Sequence, residues 1–250
     1  MLTEEALEAE LELGFKSFEI FVNSFSEIEK PFMSKAKELL NNGNGEVVSL
    51  HPFLSGDEPF LLFSNYYRRF EDTLKIYDKF FNCAAFWGAK YVILHGARVA
   101  GMYKISDDEY FERFAILAER ANTFGVTLLQ ENVNAFRSQS VDFIKKMQAA
   151  LGDVARFNLD IKQTVRAGEN VKDMCLAMGS GMCNIHINDH NELQDCILPG
   201  EGSMDYEEFF GLLRQIGYDG ACLIEVYSKS YERKEQLVGA YEYLKSIYEK

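Results

Sequence analysis

The sequence predicts an α/β protein on the (β/α)8 barrel plan, with seven strands visible where eight are needed. Short apolar or β-branched runs alternate with stretches of helical spacing. The runs are nearly continuous in apolar character, as parallel strands covered on both faces are. No linker rich in Pro, Gly or Ser divides the 250 residues, a length such barrels commonly use as one unit, so residues 1–250 are expected to form a single domain.

The chain opens on an acidic amphipathic helix over its first thirteen residues, with Leu7 and Leu11 one turn apart and Thr3 placed to cap it. Seven strand runs come after it: Phe15 to Val22, Val47 to Phe53, Tyr91 to His95, Val126 to Glu131, Arg156 to Asp160, Cys183 to Ile187, and Ala221 to Tyr227. Asn41 to Gly45 reads as the turn from a helix into the second run. The spacing of Phe70, Leu74, Tyr77 and Phe81 predicts a helix ending near Gly88. That of Phe111, Phe114, Leu117, Ala118 and Ala121 predicts another ending near Gly125. Trp87 and the aromatic positions Phe80, Phe81 and Phe86 are expected to pack the barrel exterior or an interface between copies of the chain, which leaves a homo-oligomer open. Pro199 to Asp205 reads as a turn and helix start, with Ser203 or Asp205 as the cap and Glu201 a site residue only in second place. No strand precedes Phe15, so the expectation is a barrel lacking its first strand: either it closes with seven, or another segment, a partner or a gap takes that place.

Composition excludes several partners. Lys and Arg number 26 against 39 Asp and Glu, a net charge of −13 that repels a phosphate backbone, so nucleic acid is not an expected partner. The 47% hydrophobic content, with 20 Phe and 13 Tyr, supplies a core and excludes dominant disorder. The most apolar stretch, Cys83 to Met102, is interrupted by Lys90, His95 and Arg98, so no membrane span is expected. The acidic N-terminus is unlike a secretory signal, and five scattered cysteines form no C-x-x-C pair, which together predict a cytoplasmic protein with reduced thiols.

Function is written at the strand ends, because active sites of parallel α/β folds gather there. His51, His95, His186 and His190 lie at or just beyond such ends, and so do the carboxylates Glu19, Glu131, Asp160 and Glu225. Singly, each is ordinarily a hydrogen-bonded structural group. Jointly, several carboxylates in an apolar barrel end cost several kcal/mol per ion unless paired or metal-bound, and no Lys or Arg is expected among the tips to pair with them. The set Glu131, Asp160, His186 and Glu225 suits one divalent ion, Mn²⁺, Mg²⁺, Co²⁺ or Zn²⁺, and its lack of thiolates argues against structural zinc.

These tips sit within Leu50-His51-Pro52, Leu94-His95-Gly96, Gln130-Glu131-Asn132-Val133, Leu159-Asp160, His186 to Asp189, Pro199 to Gly202, and Gly217 to Gly220 followed by Ile224-Glu225. Over nearly the whole chain this resembles the xylose-isomerase-like superfamily of TIM barrels, which holds sugar isomerases and epimerases and also apurinic-site endonucleases. The resemblance implies Glu131, Asp160, His186 and Glu225 as metal ligands on the last four strands, and makes the absent element the family's first strand. It departs at Gln163, where many members carry His, and at Asp195-Cys196-Ile197, where the endonucleases carry Asp-x-His, so a trinuclear site lacks ligands. His51 and His95 match positions that endonucleases use for metal and sugar-acting relatives use for substrate.

Isomerising a sugar removes a proton from carbon beside a carbonyl and returns it elsewhere through an enediolate. The resemblance assigns the proton work to Glu131 and Glu225. His51, His95, Glu19, Arg98 and Gln163, with Lys104, are the candidates to bind a small-molecule sugar or sugar phosphate, a solvated loop after a strand being the first reading for Arg98 and Lys104. The expectation is therefore a metal-dependent sugar or sugar-phosphate isomerase/epimerase. Its rivals are an apurinic-endonuclease-type phosphodiesterase, disfavoured by the charge, Gln163 and Ile197, and a non-catalytic truncated barrel.

Overall fold

The computed structural model describes residues 1–101 and 105–249; Lys104 lies outside the described residues. In chain order the elements are α1 (Thr3–Glu12), β1 (Ser17–Phe21), α2 (Lys30–Gly43), β2 (Glu46–His51), α3 (Glu58–Leu61), α4 (Tyr67–Trp87), β3 (Tyr91–Leu94), α5 (Asp107–Thr123), β4 (Thr127–Glu131), α6 (Val141–Leu151), β5 (Phe157–Asp160), α7 (Ile161–Arg166), α8 (Val171–Met178), β6 (Met182–Ile187), α9 (Tyr206–Gln215), β7 (Ala221–Ile224) and α10 (Glu235–Tyr248). All seven expected runs form strands, parallel and in sequence order from β1 to β7. The fold is the TIM barrel short of closure: no ladder joins β1 to β7 among the described residues. Among the described residues no other segment of this chain pairs with β1 or β7 at that place. A cavity of about 630 Å³ lies there, reaching from Phe15 and Tyr241 up to Glu19, His186 and Glu225.

Local chemistry accounts for the element ends. Ser106 caps α5 by accepting from Glu109 N at 3.0 Å, and Asp107, Asp108 and Glu109 place negative charge on the positive end of the helix dipole. Gly88 closes α4 in the left-handed region at φ 84°, open to glycine at no steric cost. One cap expectation is corrected and one is decided between its alternatives. Thr3 lies inside α1; the preceding Leu2 is the cap position, and the Glu5 carboxylate accepts from its N–H at 2.9 Å, which leaves no cap role for the threonine hydroxyl. Asp205, not Ser203, caps α9, accepting from Glu208 N at 2.8 Å, while the Ser203 hydroxyl donates to the His190 carbonyl.

Helix faces and strands share one core. Phe80 and Phe81 are fully buried between α4 and the barrel, and Trp87 is buried with its indole N–H donating to the Met33 carbonyl at 3.0 Å; of that aromatic set only Phe86 is exposed. Strands β4 and β5 are almost wholly buried, whereas β7, beside the gap, stays partly exposed along its length. No helix among the described residues is long and apolar enough to cross a membrane.

Candidate metal and substrate centre

Register brings the polar tips together. Asp160 on β5 pairs with His186 on β6, Glu131 on β4 with Asn158 on β5, and Phe21 on β1 with His51 on β2. Glu225 comes directly after β7 and is fixed by its N–H donating to the Ile187 carbonyl at 3.0 Å. His186 is the hub. Its Nδ1 lies 3.0 Å from Glu131 Oε1, 3.1 Å from Glu225 Oε2 and 3.9 Å from Asp160 Oδ2, and its Nε2 lies 3.0 Å from Glu19 Oε2. Glu19 is itself held by the Ser49 hydroxyl at 2.5 Å.

The donor set fits a divalent ion. One atom each of Glu131, Asp160, His186 and Glu225 lies within 4.8 Å of the others, the first three residues are buried, and Asp160 Oδ2 is buried with no hydrogen-bond partner. Nε2 of His186 faces Glu19 and Nδ1 faces three carboxylates, so once an ion displaces the Nδ1 proton, Nε2–H stays bonded to Glu19 and Nδ1 would be the ligating nitrogen.

A second group shares Glu131. His95 Nε2 lies 2.8 Å from Glu131 Oε2, His51 Nε2 lies 3.0 Å from His95 Nε2, and His51 stands 3.8 Å from the same carboxylate oxygen. Glu131 therefore faces His186 with one oxygen and the two histidines with the other. Phe21 stacks on His51 with centroids 4.6 Å apart, and Phe136 meets His95 edge-on at 5.6 Å.

Burial and charge pull these groups apart electrostatically. Burial disfavours the ionised Glu131, but His95 and hydrogen bonds from His186, His51 and His95 outweigh it and hold the carboxyl well below its ordinary range. Glu225 is likewise lowered against burial, by His186 and Lys162. Asp160 goes the other way: burial first, then the Glu225 charge, raise it well above the ordinary value. For His186 the Glu19 and Glu225 carboxylates overcome burial and raise the imidazole well above its usual pKa.

One expectation is overturned. A cation does sit among the tips: Lys162 Nζ lies 2.8 Å from Glu225 Oε2 and 3.1 Å from Asp160 Oδ2, with its side chain 3% exposed. The cause is local. Asp160 is the cap of α7, its Oδ1 accepting from Gln163 N at 2.9 Å, so the chain turns helical at once and returns residue 162 over the mouth. Had the strand continued outward, Lys162 would have left the site.

Other candidates divide. Glu19, His51 and His95 join the centre. Gln163 stands at its edge with Oε1 accepting from Asn134 N at 3.1 Å. Arg98 is exposed, its guanidinium 4.9 Å over the Phe136 ring, and does not enter the cluster. Glu201 is exposed, and His190 joins neither donor group. The Pro199–Gly202 loop serves instead to wrap buried Asp189, whose carboxylate accepts from Gly200 N, Gly202 N and Met204 N at 3.0–3.1 Å.

Several supports escaped the sequence. Buried Glu58 on α3 accepts from Tyr77 Oη at 2.6 Å and from the N–H groups of His95 and Gly96 at 2.9 and 2.6 Å, pinning the β3 tip. Asn158 donates to Glu131 Oε1 at 3.2 Å and is oriented by Asn184 at 2.9 Å. Asparagines inside otherwise apolar strand runs were the available signal; Glu58 gave none.

Comparison with known proteins agrees with this architecture. The family model of the xylose isomerase-like TIM barrel matches residues 7–247. A ketose 3-epimerase of Arthrobacter globiformis is 29% identical over 118 residues, 46% of this chain and 39% of that protein. An uncharacterized protein of Methanocaldococcus jannaschii is 28% identical over 125 residues, 47% of this chain and 43% of that one. The matches thus span less than half the length of these curated relatives. Among solved structures, D-psicose 3-epimerase in the presence of D-fructose superposes with a TM-score of 0.81 at 15% identity, covering 99% of this chain and 94% of that one. D-allulose 3-epimerase from Methylomonas sp. in complex with D-allulose gives 0.81 at 18% identity, covering 98% and 91%. The chain belongs to the xylose isomerase-like TIM barrel family.

Proposed function

We propose that the chain is a divalent-metal-dependent isomerase or epimerase of a sugar or sugar phosphate, working through an enediolate as one unit over residues 1–250. The observation that carries the reading is the convergence of three carboxylates and one imidazole at a polar mouth, with two of the carboxylates, Glu131 and Glu225, both against His186 Nδ1. The family, and the ketose 3-epimerase name of one partial relative, support the reaction class. Five free cysteines suit a reducing compartment such as the cytosol.

Glu131, Asp160, His186 and Glu225 would hold the ion. When bound, the ion supplies Lewis-acid polarisation of the substrate carbonyl and charge stabilisation as the enediolate develops. Glu131 and Glu225 supply the bases. Both are held ionised by their surroundings, so either can take a proton from carbon and the other can return one. His51 and His95 stand against the second oxygen of Glu131 and would bind substrate hydroxyls by exchanging their contacts with it and with each other. The phosphodiesterase alternative finds an amide at Gln163, already occupied with the Asn134 backbone, and a buried Ile197, where further ligands are required.

The test is isotope exchange. Ketoses, inososes and their phosphates are incubated with Mn²⁺ in deuterated water, and deuterium entry at carbon is followed. Since positioned acid–base groups contribute about 10²–10⁴-fold, Glu131→Gln and Glu225→Gln are each expected to lower exchange by at least about 10² while circular dichroism stays native. Full exchange in either variant refutes the two-carboxylate mechanism.

A further inference from the structure

Among the described residues at the mouth, Lys162 is the feature that neither the donor set nor the proton chemistry requires. We propose that it is a tethered cation built into the metal centre, so that a divalent ion enters by displacing an ammonium from Asp160 and Glu225 and not by filling an open cage. The inference rests on the metal-dependent reading above and adds to it how this chain controls occupancy.

Three observations lead there. Lys162 Nζ touches two of the four donor residues through the oxygens that face the other donors: Glu225 Oε2, also 3.1 Å from His186 Nδ1, and Asp160 Oδ2, also 3.9 Å from it. An ion sharing those oxygens and an ammonium at 2.8–3.1 Å from them repel one another at close range, with little water between to screen them because the lysine and Asp160 are buried. Second, the grip is uneven. The contact with Glu225 is a hydrogen bond, whereas Asp160 Oδ2 is paired with Lys162 by charge alone and lacks any hydrogen bond, so it is free to turn to another cation. Third, the ammonium has a further contact. The Tyr227 ring centroid lies 5.2 Å from Lys162 Nζ, within cation–π range, and Arg166 holds the ring by donating to its hydroxyl at 2.9 Å. Nζ meets that ring while it still holds both carboxylates, and Arg166 and Lys229 lie 5.4 and 5.5 Å over the same ring, so the proposed exchange has two arrangements: ammonium on the carboxylates and ion out, or ion in and ammonium released from them while keeping Tyr227.

Such a centre binds metal more weakly than its donors allow, because apparent affinity scales with the fraction of molecules in which the donors are free. Metal-stripped wild type, Lys162→Met and Lys162→Gln are titrated with Mn²⁺ by calorimetry and by water-proton relaxation. Both variants are expected to bind about tenfold tighter or more, the factor that applies if the freed state is at most about a tenth of the wild-type population. Tyr227→Leu is expected to weaken Mn²⁺ binding in the wild type and to change it little in the Lys162→Met background. Should metal-free Lys162→Met be unfolded for want of a counter-charge, refolding with Mn²⁺ is expected to recover it. Equal or weaker binding by the lysine variants, or no recovery with Mn²⁺, overturns the tethered-cation proposal alone. Absence of binding by all the proteins at millimolar Mn²⁺ overturns the metal reading itself.

Discussion

Glu131 shows how much a single residue can be asked to do: one oxygen belongs to the carboxylate–imidazole cluster and the other to the His51–His95 pair. Its neighbours matter through orientation. The sequence places Glu19 against substrate, but its carboxylate meets His186 Nε2 and thereby fixes which ring nitrogen faces the centre. Partners of a ligating imidazole are typically worth 10- to 100-fold in metal affinity, so Glu19→Gln is expected to weaken Mn²⁺ binding by about that factor, read by calorimetry. Unchanged affinity would detach Glu19 from the site. Gly96 is a second residue-scale case. It sits at φ 92°, and a Cβ there would run into the Tyr110 hydroxyl, which is buried and bonded to Gln130. Gly96→Ala therefore combines backbone strain with overpacking and is expected to cost about 2–4 kcal/mol in urea unfolding. A loss under about 0.5 kcal/mol would show that the turn relaxes freely.

At the scale of elements, strand order did most of the placing. Seven apolar runs were legible because a parallel strand buried on both faces leaves a continuous signal, and their polar last residues were legible because nothing else interrupts them. The turns just beyond the strands were less legible. The immediate start of α7 at Asp160 brought Lys162 into the mouth, and the short α3 brought Glu58 beneath the β3 tip; neither turn leaves a periodic pattern, α7 being six residues long and α3 four. Helix starts with a capping side chain were easier to read, as at α9. Removing that cap by Asp205→Ala leaves the Glu208 N–H without its acceptor and is expected to cost about 1 kcal/mol, seen as a lowered melting temperature with Mn²⁺ affinity unchanged. A changed affinity would instead tie the loop around Asp189 to the centre.

For the whole molecule, the linked charges at the mouth make stability depend on pH. Glu131, Glu225 and Glu19 are held below their ordinary values, so their contribution is present above about pH 4.3 and is lost as pH falls through the folded values. His186 is raised, so its contribution is complete below about pH 6.5 and is lost as pH rises through the folded value. The metal-stripped chain is thus expected to lose stability above about pH 6.5, by at most about 1.4 kcal/mol per pH unit for this one proton. Urea midpoints across that range check it, and His186→Gln is expected to lessen the decline, the remainder coming from His51, whose imidazole Glu131 and Glu19 also raise against burial; an identical decline in the variant would assign it to another group. Taken alone, the sequence determined the seven strand runs, the βα alternation and the identity of the acidic tips, because burial on both faces and alternation are properties of local order along the chain. Only the tertiary structure decided that the sheet stays open between β1 and β7, that one carboxylate serves two clusters and that an ammonium stands among the proposed ligands, because each depends on how distant strand ends meet and on how the chain turns just beyond them.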